Sequence, residues 1–526
     1  MTRPGLSFPT MPSPFFTRSG AAILALMAAA SLALRAAAAE RPPNIVLIYT
    51  DDIGYGDVGC YGATKVRTPH IDRLAREGRR FTDAHSASAV CTPSRYALLT
   101  GEYPFRADSW APIFSRAGLI IDPARTTIAS LLRRAGYATA CVGKWHLGFG
   151  PKGRPPDWNA VLKPGPRELG FDWFYGLPTV SSHSPFVLVE NDRVLGLDPA
   201  DPLVFGGVPP TREFPEKILT ANPVSGGKAA HALYDDEQLG TQFTEKAVAW
   251  IRGKRAAPFF LLFATPHIHH PFTPHPRFRG TSEAGRYGDF IHELDWMVGE
   301  LLRTLDELKL ADNTLVIFTS DNGGMLNEGG QDAWRAGHRA NGDLLGYKFG
   351  AWEGGHRVPF IARWPGKIPA ASASAQLISS IDLLATFAAI VRQPLAAADG
   401  PDSFNILPAL TGAPARPIRD QLVLAPFTPR NIGLRSGPWV YIGAQGDGGF
   451  AGIRGGAGSV GFSQRVNSDI TPDGKIKPDA PPDQLYHLGD DLSQARNVVR
   501  EQPEVAARLR AELAAHRAAA RTAPLP

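Results

Sequence analysis

Buried-strand and amphipathic-helix patterns alternate along most of the chain. Residues 44–49 (NIVLIY) form a continuous apolar run, which is typical of a strand covered on both faces, and residues 69–77 carry apolar positions at helical spacing. Both patterns recur in turn, with helices at 127–135, 243–251 and 290–308 and strands at 137–142, 259–263 and 314–319. This alternation predicts an α/β fold with a large, mostly parallel sheet and helices on both faces.

The pattern changes at about Arg416. Strand-like segments become short, and a final helix follows them; the segments are 421–424, 439–442, 484–488 and the helix 503–519. We therefore predict a large domain over residues 40–415 and a small antiparallel α+β domain over residues 416–526. The glycine-rich stretch 443–461 inside the small domain is typical of a flexible loop.

The amino-terminal segment has the parts of a secretory signal. Arg18 is followed by an uncharged stretch that reaches Leu34, and small residues then end at Ala39. A membrane anchor is the alternative, but the stretch is shorter than the roughly 18 apolar residues of a spanning helix, and Arg35 ends it. We predict a signal peptide over residues 1–39, no stable membrane span, and export to the periplasm or the exterior.

The charge balance argues against a nucleic-acid partner. The chain has 55 Lys and Arg against 50 Asp and Glu, but three of the arginines precede Glu40, where no acidic residue occurs. The remainder carries 52 positive against 50 negative side chains, a difference of only +2. Such an even charge balance does not provide the basic surface that binding to nucleic acids or anionic membranes requires.

Polar residues follow directly on four of the predicted strands. They are Asp51-Asp52, Lys144-Trp145-His146, His267-Ile268-His269-His270 and Asp321-Asn322. In open α/β sheets the ligand crevice lies outside the carboxyl ends of the strands, so we expect the four groups to converge. Each acidic group alone is a common turn, but three carboxylates and an amide oxygen together suit Ca²⁺ or Mg²⁺ better than Zn²⁺.

Cys91 precedes a helix predicted over residues 94–100, with Pro93 in its first turn and Arg95 four residues further on. A nucleophile at a helix amino terminus meets unpaired N–H groups and the positive end of the helix dipole. A helix amino terminus of this kind therefore favours the binding of an anion. An isolated cysteine is more often a small buried apolar residue, so the surrounding sequence has to decide. The three cysteines, which include Cys60 and Cys141, are too few for a disulfide framework.

The segment CTPSRYALLTG (Cys91–Gly101) resembles the signature of the type I sulfatases, in which the cysteine is oxidised to Cα-formylglycine. Further blocks resemble the family in the family's order between about Pro43 and Asn497, among them YTDDIGYGDVGCYG, VGKWHLG, LLFATPHIHHP, IFTSDNG and YKFGAWEGGHRVP. They are most similar to arylsulfatase A and the N-acetylgalactosamine-6-sulfatases. The resemblance implies an alkaline-phosphatase-like large domain, a small antiparallel domain, and a formylglycine-generating enzyme as maturation partner.

The resemblance also implies a role for each residue of the site. Ca²⁺, in preference to Mg²⁺, would be held by oxygen ligands together with the modified cysteine: Asp51, Asp52, Asp321, Asn322 and Cys91. Arg95 and Lys144 would hold the formylglycine and its sulfate ester. His146 would be the base that expels sulfate. His269, chosen by the family's His-x-His-x-Pro spacing, and Lys348 would bind the substrate sulfate and assist the leaving oxygen.

The implied chemistry suits these residue types. One hydroxyl of a hydrated aldehyde can attack sulfur, with Asp321 assisting its deprotonation, and His146 can then deprotonate the second hydroxyl. Two alternatives remain open at this point. A phosphonate or phosphate monoester hydrolase of the same superfold would use similar groups, and a chain with unmodified Cys91 would be a non-catalytic binder of sulfated glycan.

The loops that would select the substrate carry no decodable signature. They are Tyr103–Gly118, Leu177–Val208 and the glycine-rich stretch 443–461. His183 in the second loop is a candidate substrate contact, whereas His275 and His356 are interpreted as structural. Because the resemblance includes galactosamine sulfatases, we expect a sulfated sugar from a polysaccharide in preference to a free aryl sulfate.

Overall fold

A ten-stranded mixed sheet forms the centre of the structure, a computed structural model that describes residues 1–2, 5, 41–209, 222–253 and 257–525. Five neighbouring strands are parallel; in spatial order they are Thr314–Ser320, Asn44–Thr50, Phe259–Ala264, Ala138–Lys144 and Trp173–Leu177. Shorter strands extend the sheet, on one side Phe360–Arg363, Arg79–Phe81 and Ser372–Ser374, and on the other Val189–Glu190 and Arg193–Val194. The signal peptide predicted over residues 1–39 lies almost wholly outside the described residues.

Apolar side chains cover both faces of this sheet, as the continuous apolar runs predict. In the strand Asn44–Thr50, Ile45 and Leu47 point into one apolar cluster, whereas Val46 and Ile48 point into the other. Helices Cys91–Thr100, Ile128–Arg134 and Leu383–Val391 cover the first face. Helices Pro69–Arg76, Leu239–Gly253 and Gly285–Glu307 cover the second. The predicted fold class is thereby confirmed.

Several elements of the described chain lie outside these layers. The remaining helices are Lys228–Ala232, Glu328–Arg335, Glu353–His356, Leu407–Thr411, Gly456–Phe462 and Pro503–Ala518. Two small sheets pair Ala84–His85 with Ile378–Ser379 and Val204–Phe205 with Val224–Ser225. None of the helices in the described part of the chain has the length and apolar character that crossing a membrane requires.

A four-stranded antiparallel sheet lies in the last part of the chain. Its strands are Gln421–Leu424, Gly433–Ser436, Trp439–Ile442 and Gln484–His487. Leu509 and Leu513 of the final helix pack in the same apolar cluster as this sheet. The strand Gly433–Ser436 escapes sequence analysis because its four residues, GLRS, include a glycine and two polar side chains. The described residues from Pro43 onward form one compact unit, and the domain boundary near Arg416 stays a prediction.

The prediction of a flexible loop over the glycine-rich stretch 443–461 is wrong for the second half of this stretch. Residues Gly456–Phe462 form a helix, although glycine is a poor helix former. The buried carboxylate of Asp447 accepts hydrogen bonds from the N–H groups of Gly449 and Gly456, at 2.9 and 3.3 Å. These tertiary contacts fix the backbone where local propensity would leave it free.

The strand Ala138–Lys144, which leads to the site, contains a glycine that its neighbour requires. Gly143 has φ +117°, and a Cβ there would lie 2.1 Å from the carbonyl oxygen of Ala264 on the adjacent strand. Gly136 also has a positive φ, +86°, but a Cβ there would meet no atom of the described chain within 4 Å. The two glycines therefore differ in steric environment and share a left-handed backbone.

Replacing Gly143 with alanine should destabilise the fold more than the same change at Gly136. Both variants lose roughly 1 kcal/mol from the left-handed backbone, and Gly143→Ala should lose about 1–3 kcal/mol more from overpacking. Thermal unfolding of the wild type and both variants measures the difference. Equal shifts of the two midpoints would show that the sheet relaxes around the added methyl group.

Candidate active site

Parallel strands that end at one edge of the sheet bring the polar groups together. Lys144 Nζ donates to Asp51 Oδ2 at 2.7 Å, and the backbone N–H of Asp52 donates to Asp321 Oδ1 at 3.3 Å. Lys348, from a distant loop, donates to Asp52 Oδ1. These five side chains are each no more than 2% exposed. The convergence expected from the strand ends is thus present in the structure.

Three carboxylates in this group lie close enough to share one cation. Asp51, Asp52 and Asp321 each offer an oxygen, and these oxygens lie within 4.8 Å of one another. Asn322 is attached through its Nδ2, which donates to Asp52 Oδ1 at 2.8 Å. Asp51 Oδ1 and Asn322 Oδ1 are buried oxygens without a hydrogen-bond partner in the described part of the chain. Orphaned hard oxygens of this kind fit Ca²⁺ or Mg²⁺.

The pKa shifts show that the carboxylates repel one another. The pKa of Asp52 is raised to about 7, mainly by burial and further by the charges of Asp51 and Asp321. The charge of Lys348 opposes this rise. Burial and the charge of Asp51 likewise raise the pKa of Asp321. For Asp51, burial alone would raise the pKa, but Lys144 and Lys348 hold it below its ordinary value. Because the pKa values of two of the three carboxylates are raised even beside these cations, a metal ion among their oxygens would stabilise the charged forms.

Arg95 is tied into this cluster by several contacts. Its Nε and Nη2 lie 3.0 and 2.8 Å from Asp321 Oδ2, and its Nη1 donates to the carbonyl oxygen of Lys144 at 3.2 Å. The guanidinium also lies over the ring of Tyr49, 5.4 Å from its centre. Sequence analysis missed Tyr49 because an aromatic residue inside an apolar strand looks like ordinary core. These contacts of Arg95 orient the Asp321 carboxylate.

Cys91 is the first residue of the helix Cys91–Thr100, which begins three residues earlier than predicted. Side-chain hydrogen bonds brace this first turn: Thr92 Oγ1 donates to the carbonyl oxygen of His146, and Ser94 Oγ to that of Ser88. Cys91 is 2% exposed, and burial raises the pKa of its thiol, although Lys144 and Lys348 oppose the shift. The unmodified thiol is therefore protonated and a weak nucleophile.

His146 is held so that one ring nitrogen is free to accept a proton. Its Nε2 lies 2.8 Å from the carbonyl oxygen of Ile113, and because a carbonyl only accepts, Nε2 carries the hydrogen. Nδ1 is buried and has no hydrogen-bond partner among the described residues. Burial, then the charges of Lys144 and Arg95, hold the pKa of His146 well below its ordinary value. A neutral imidazole with an unshared Nδ1 lone pair is a base.

Strained backbone marks two residues of the site. Asp52 has φ +63° and His146 has φ +58°, values that non-glycine residues rarely adopt. Such conformations cost about 1–3 kcal/mol each and persist only where the surroundings impose them. Both residues directly follow or lie close to a strand end, where the chain turns its side chain into the site.

His267 and His269, from the segment that follows the strand Phe259–Ala264, have different surroundings. His267 Nδ1 lies 2.8 Å from Thr265 Oγ1, and its Nε2 lies 3.7 Å from Glu293 Oε2. His269 Nε2 lies 4.0 Å from Asp52 Oδ2, and its Nδ1 lies 2.6 Å from the carbonyl oxygen of His270. The structure therefore places His269 beside the carboxylate cluster and His267 beside a helix. His275 begins a short helical turn, as expected of a structural residue.

The three loops named by sequence analysis meet near these residues. The ring of His183 lies 4.8 Å from that of Phe114, which joins the second loop to the first. Burial, followed by the charges of Lys144 and Lys348, lowers the pKa of His183 to about 4. The pKa of His270 is lowered mainly by burial and then by Lys348 and His183. Arg454 of the glycine-rich stretch is close enough to lower it further. With that lowered pKa His183 is neutral, so Arg454, which pairs with Glu328, is the charged side chain that the glycine-rich stretch brings near these histidines.

The fold and the site define an ester hydrolase of the alkaline-phosphatase-like type. The Sulfatase family model matches residues 43–392, and the chain belongs to this family; it is a sulfuric ester hydrolase. An N-acetylgalactosamine-6-O-sulfatase of Bacteroides thetaiotaomicron is 40% identical over 89% of this chain and 91% of its own length. Human arylsulfatase A is 37% identical over 75% of this chain and 73% of its own length.

Solved structures show the same fold. A 6S-sulfatase from glycosaminoglycan metabolism in Bacteroides thetaiotaomicron is similar with a TM-score of 0.80 and 39% identity, over 90% of this chain and 99% of that one. A phosphonate monoester hydrolase of Agrobacterium radiobacter is similar with a TM-score of 0.57 and 17% identity, over 90% of this chain and 95% of that one. At that identity the second likeness shows the fold alone.

Proposed function

We propose that this sulfatase removes sulfate from a sulfated sugar, using Cα-formylglycine made from Cys91 and a bound Ca²⁺. The observation that carries the proposal is the position of Cys91. It lies buried at a helix amino terminus, within electrostatic reach of both the lysines and the carboxylates of the site. As a thiol it is a weak nucleophile, so the placement makes chemical sense for a modified side chain.

The substrate proposal rests on the relatives and on charge. The bacterial relative is named for a sulfated amino sugar, and the similar solved structure belongs to glycosaminoglycan metabolism. Polysaccharides of that kind carry several negative groups, and the partly exposed Arg454 of the glycine-rich stretch lies close enough to His270 to lower the pKa of its ring. A cation in this place attracts a polyanion and orients it before the sulfate reaches the centre. A small aryl sulfate would make less use of Arg454.

The metal would be held by Asp51, Asp52, Asp321, Asn322 and the modified residue 91. When bound, Ca²⁺ would neutralise negative charge on the sulfuryl oxygens and on the attacking side chain. The chain's own residues prepare this place, because Lys144 holds Asp51, and Arg95 holds Asp321, in fixed orientations. Mg²⁺ is the less expected ion, since its small octahedral shell retains several waters.

Residue 91, as hydrated formylglycine, would supply one hydroxyl for attack on sulfur and a second whose deprotonation releases sulfate. His146 is the base for that release, through Nδ1, because its Nε2 is committed to the carbonyl oxygen of Ile113. The hydrogen bond from Thr92 Oγ1 to the carbonyl oxygen of His146 joins the base to the helix that carries residue 91.

The leaving oxygen would be served from the opposite side of the sulfate. Burial alone would lower the pKa of Lys348, but the charge of Asp52 and its neighbours raises it far above its ordinary value, so Lys348 is charged. His269 Nδ1 donates to the carbonyl oxygen of His270, which leaves Nε2 to face Asp52 and the substrate. Both side chains can bind the sulfate, and His269 Nε2 can deliver a proton once the bound anion favours its charged form.

Export and maturation complete the proposal. The signal sequence predicted over residues 1–39 would send the chain to the periplasm or the exterior, where polymeric sulfated sugars occur. A formylglycine-generating enzyme would be the partner that oxidises Cys91.

Cys91→Ala should abolish turnover without unfolding the chain. We expect a loss of about 10⁴-fold or more in kcat, because the nucleophile is absent, with little change in the thermal midpoint. Cys141→Ala is the matched control, since Cys141 is also buried but lies within a strand of the core. Intact-mass analysis of the wild-type peptide that contains residue 91 should show the aldehyde. Comparable sulfate release by Cys91→Ala would remove formylglycine from the mechanism.

Asp51→Asn should lower calcium content and activity together. The change keeps the shape of the side chain but removes a charged ligand, whereas Asp295→Asn removes a buried carboxylate whose hydrogen bonds, in the described part of the chain, come from the backbone N–H groups of His70 and Ile71. Elemental analysis after dialysis should find one Ca²⁺ per wild-type or control chain and less in Asp51→Asn. Stoichiometric zinc without calcium would contradict the oxygen-ligand argument.

His146→Ala and His269→Ala should block different steps. We expect His146→Ala to release about one equivalent of the alcohol product and then stop, because only the release of sulfate needs its Nδ1. His269→Ala should be slow from the first turnover, and more so for a sugar sulfate than for an activated aryl sulfate, whose leaving oxygen needs little protonation. Rapid-quench kinetics with both substrates measures this. Equal losses for the two substrates and no burst would show that the two roles are assigned wrongly.

A further inference from the structure

Two buried histidines face each other in the core near the chain segment that leads to Cys91. His85 is 1% and His356 2% exposed, and their Nδ1 atoms lie 2.9 Å apart. Glu353, which is fully buried, lies beside both rings. The proposed mechanism uses none of these side chains, and sequence analysis left His356 as an ordinary structural residue and did not single out His85.

The hydrogen-bond pattern fixes how many protons the pair carries. His356 Nε2 lies 3.1 Å from the carbonyl oxygen of Ala351, which only accepts, so Nε2 carries a hydrogen. His85 Nε2 lies 2.9 Å from Asp83 Oδ1 and donates to that carboxylate. Two neutral rings would then present two Nδ1 lone pairs to each other at hydrogen-bond distance. One Nδ1 must therefore carry an additional hydrogen, and the pair holds one positive charge.

The charges around the rings favour placing this proton on His85. The pKa of His356 is lowered to about 4, mainly by burial and also by the charges of His85 and Arg357, whereas Glu353 opposes the shift. His356 Nδ1 is therefore the hydrogen-bond acceptor. His85 has the Asp83 carboxylate on its other nitrogen and Glu353 close by. Other charged groups at the cluster are Arg357, which pairs with Glu353 and Asp83, and Arg435, which pairs with Asp83; Tyr55 lies against Arg357.

A metal ion between the two rings fits the geometry less well. The ring centres lie 5.1 Å apart, which is the separation expected when the two Nδ1 atoms point almost directly at each other. Two nitrogen ligands of a tetrahedral Zn²⁺, with Zn–N distances of about 2.0–2.1 Å, would lie about 3.3–3.4 Å apart. The observed 2.9 Å is an ordinary N–H···N hydrogen bond.

The pair connects the two halves of the active site. The N–H of Ser86, next to His85, donates to the carbonyl oxygen of His356 at 2.8 Å, and residues 86–90 lead directly to Cys91. On the other side, Gly323 follows Asn322 and donates its N–H to Gly355 at 2.9 Å, one residue before His356. A Cβ on Gly323 would lie 1.9 Å from the carbonyl oxygen of Gly354, so this contact is tight.

We propose that His85 and His356 share one proton and act as a positioning pair, which holds the segment before Cys91 against the turn that carries Asp321 and Asn322. The inference rests on the proposed roles of those residues. Without that proton two lone pairs would face each other in a buried place, and the rings would separate.

His85→Gln is the variant that tests the shared proton. The glutamine amide can donate to His356 Nδ1 without an additional charge, so this hydrogen bond no longer needs a shared proton. We expect kcat at neutral pH to fall roughly tenfold from imperfect placement of residue 91, with KM nearly unchanged. His487→Gln, a change at a histidine paired with Asp490 in the small sheet, is the control and should keep the wild-type kcat.

Nuclear magnetic resonance of histidine-labelled protein provides a measurement that needs no activity. The wild type should show a slowly exchanging Nδ1–H signal in a ring with both nitrogens protonated, and His85→Gln and His356→Gln should lack it. Peptide mass analysis should find the same modification of residue 91 in every variant. A wild type without sulfatase activity would defeat the proposed function and leave this signal to decide the pair.

Two results would overturn the proposal. One is a kcat of His85→Gln equal to that of the wild type, together with no such signal in the wild type. The other is one equivalent of zinc in the wild type that is lost in both His85→Gln and His356→Gln, which would put a metal ion in place of the proton. If His85→Gln fails to fold, the wild-type signal and the wild-type metal content still decide between these outcomes.

Discussion

Mutual compensation of buried charge is the constraint on which the rest of the structure depends. Asp51, Asp52 and Asp321 lie in a core with essentially no contact with solvent, and Arg95, Lys144 and Lys348 lie against them. A buried carboxylate without a partner is strongly unfavourable, so the strands that deliver these residues have to keep their register. The parallel sheet therefore fixes the positions of the site residues. In turn, a change in strand register would separate the buried charges from their partners and would be energetically unfavourable.

The same arrangement explains why the functional side chains come from far apart in sequence. Asp52 and Asn322, which share a hydrogen bond, are 270 positions apart. Adjacent strands of a parallel sheet are joined by long crossovers, so neighbours at the carboxyl edge are always distant along the chain. A site assembled in this way forms only when the central strands are all paired. Local segments cannot hold any part of it.

Much of this was accessible from the sequence because it depends on local patterns. The apolar runs at 44–49 and 314–319 predicted two strands, and the structure extends each strand by one residue. The predicted ends of these strands also indicated where the polar groups converge. Tertiary effects were not accessible. The helix Gly456–Phe462 depends on the buried carboxylate of Asp447, and the His85–His356 contact joins two short segments with no recognisable pattern. Neither pairing leaves a signal in one sequence.

The depth of Cys91 has a consequence for the order of events in the life of the chain. The folded protein exposes 2% of this residue, and the first turn of its helix is bound on both sides, through Thr92 to the loop of His146 and through Ser94 to Ser88. An enzyme that must enclose the thiol in its own active site cannot reach it there. Oxidation of Cys91 would have to precede the docking of this helix, while the polypeptide is still extended. Folding then closes access, and a chain that folds first would stay unmodified.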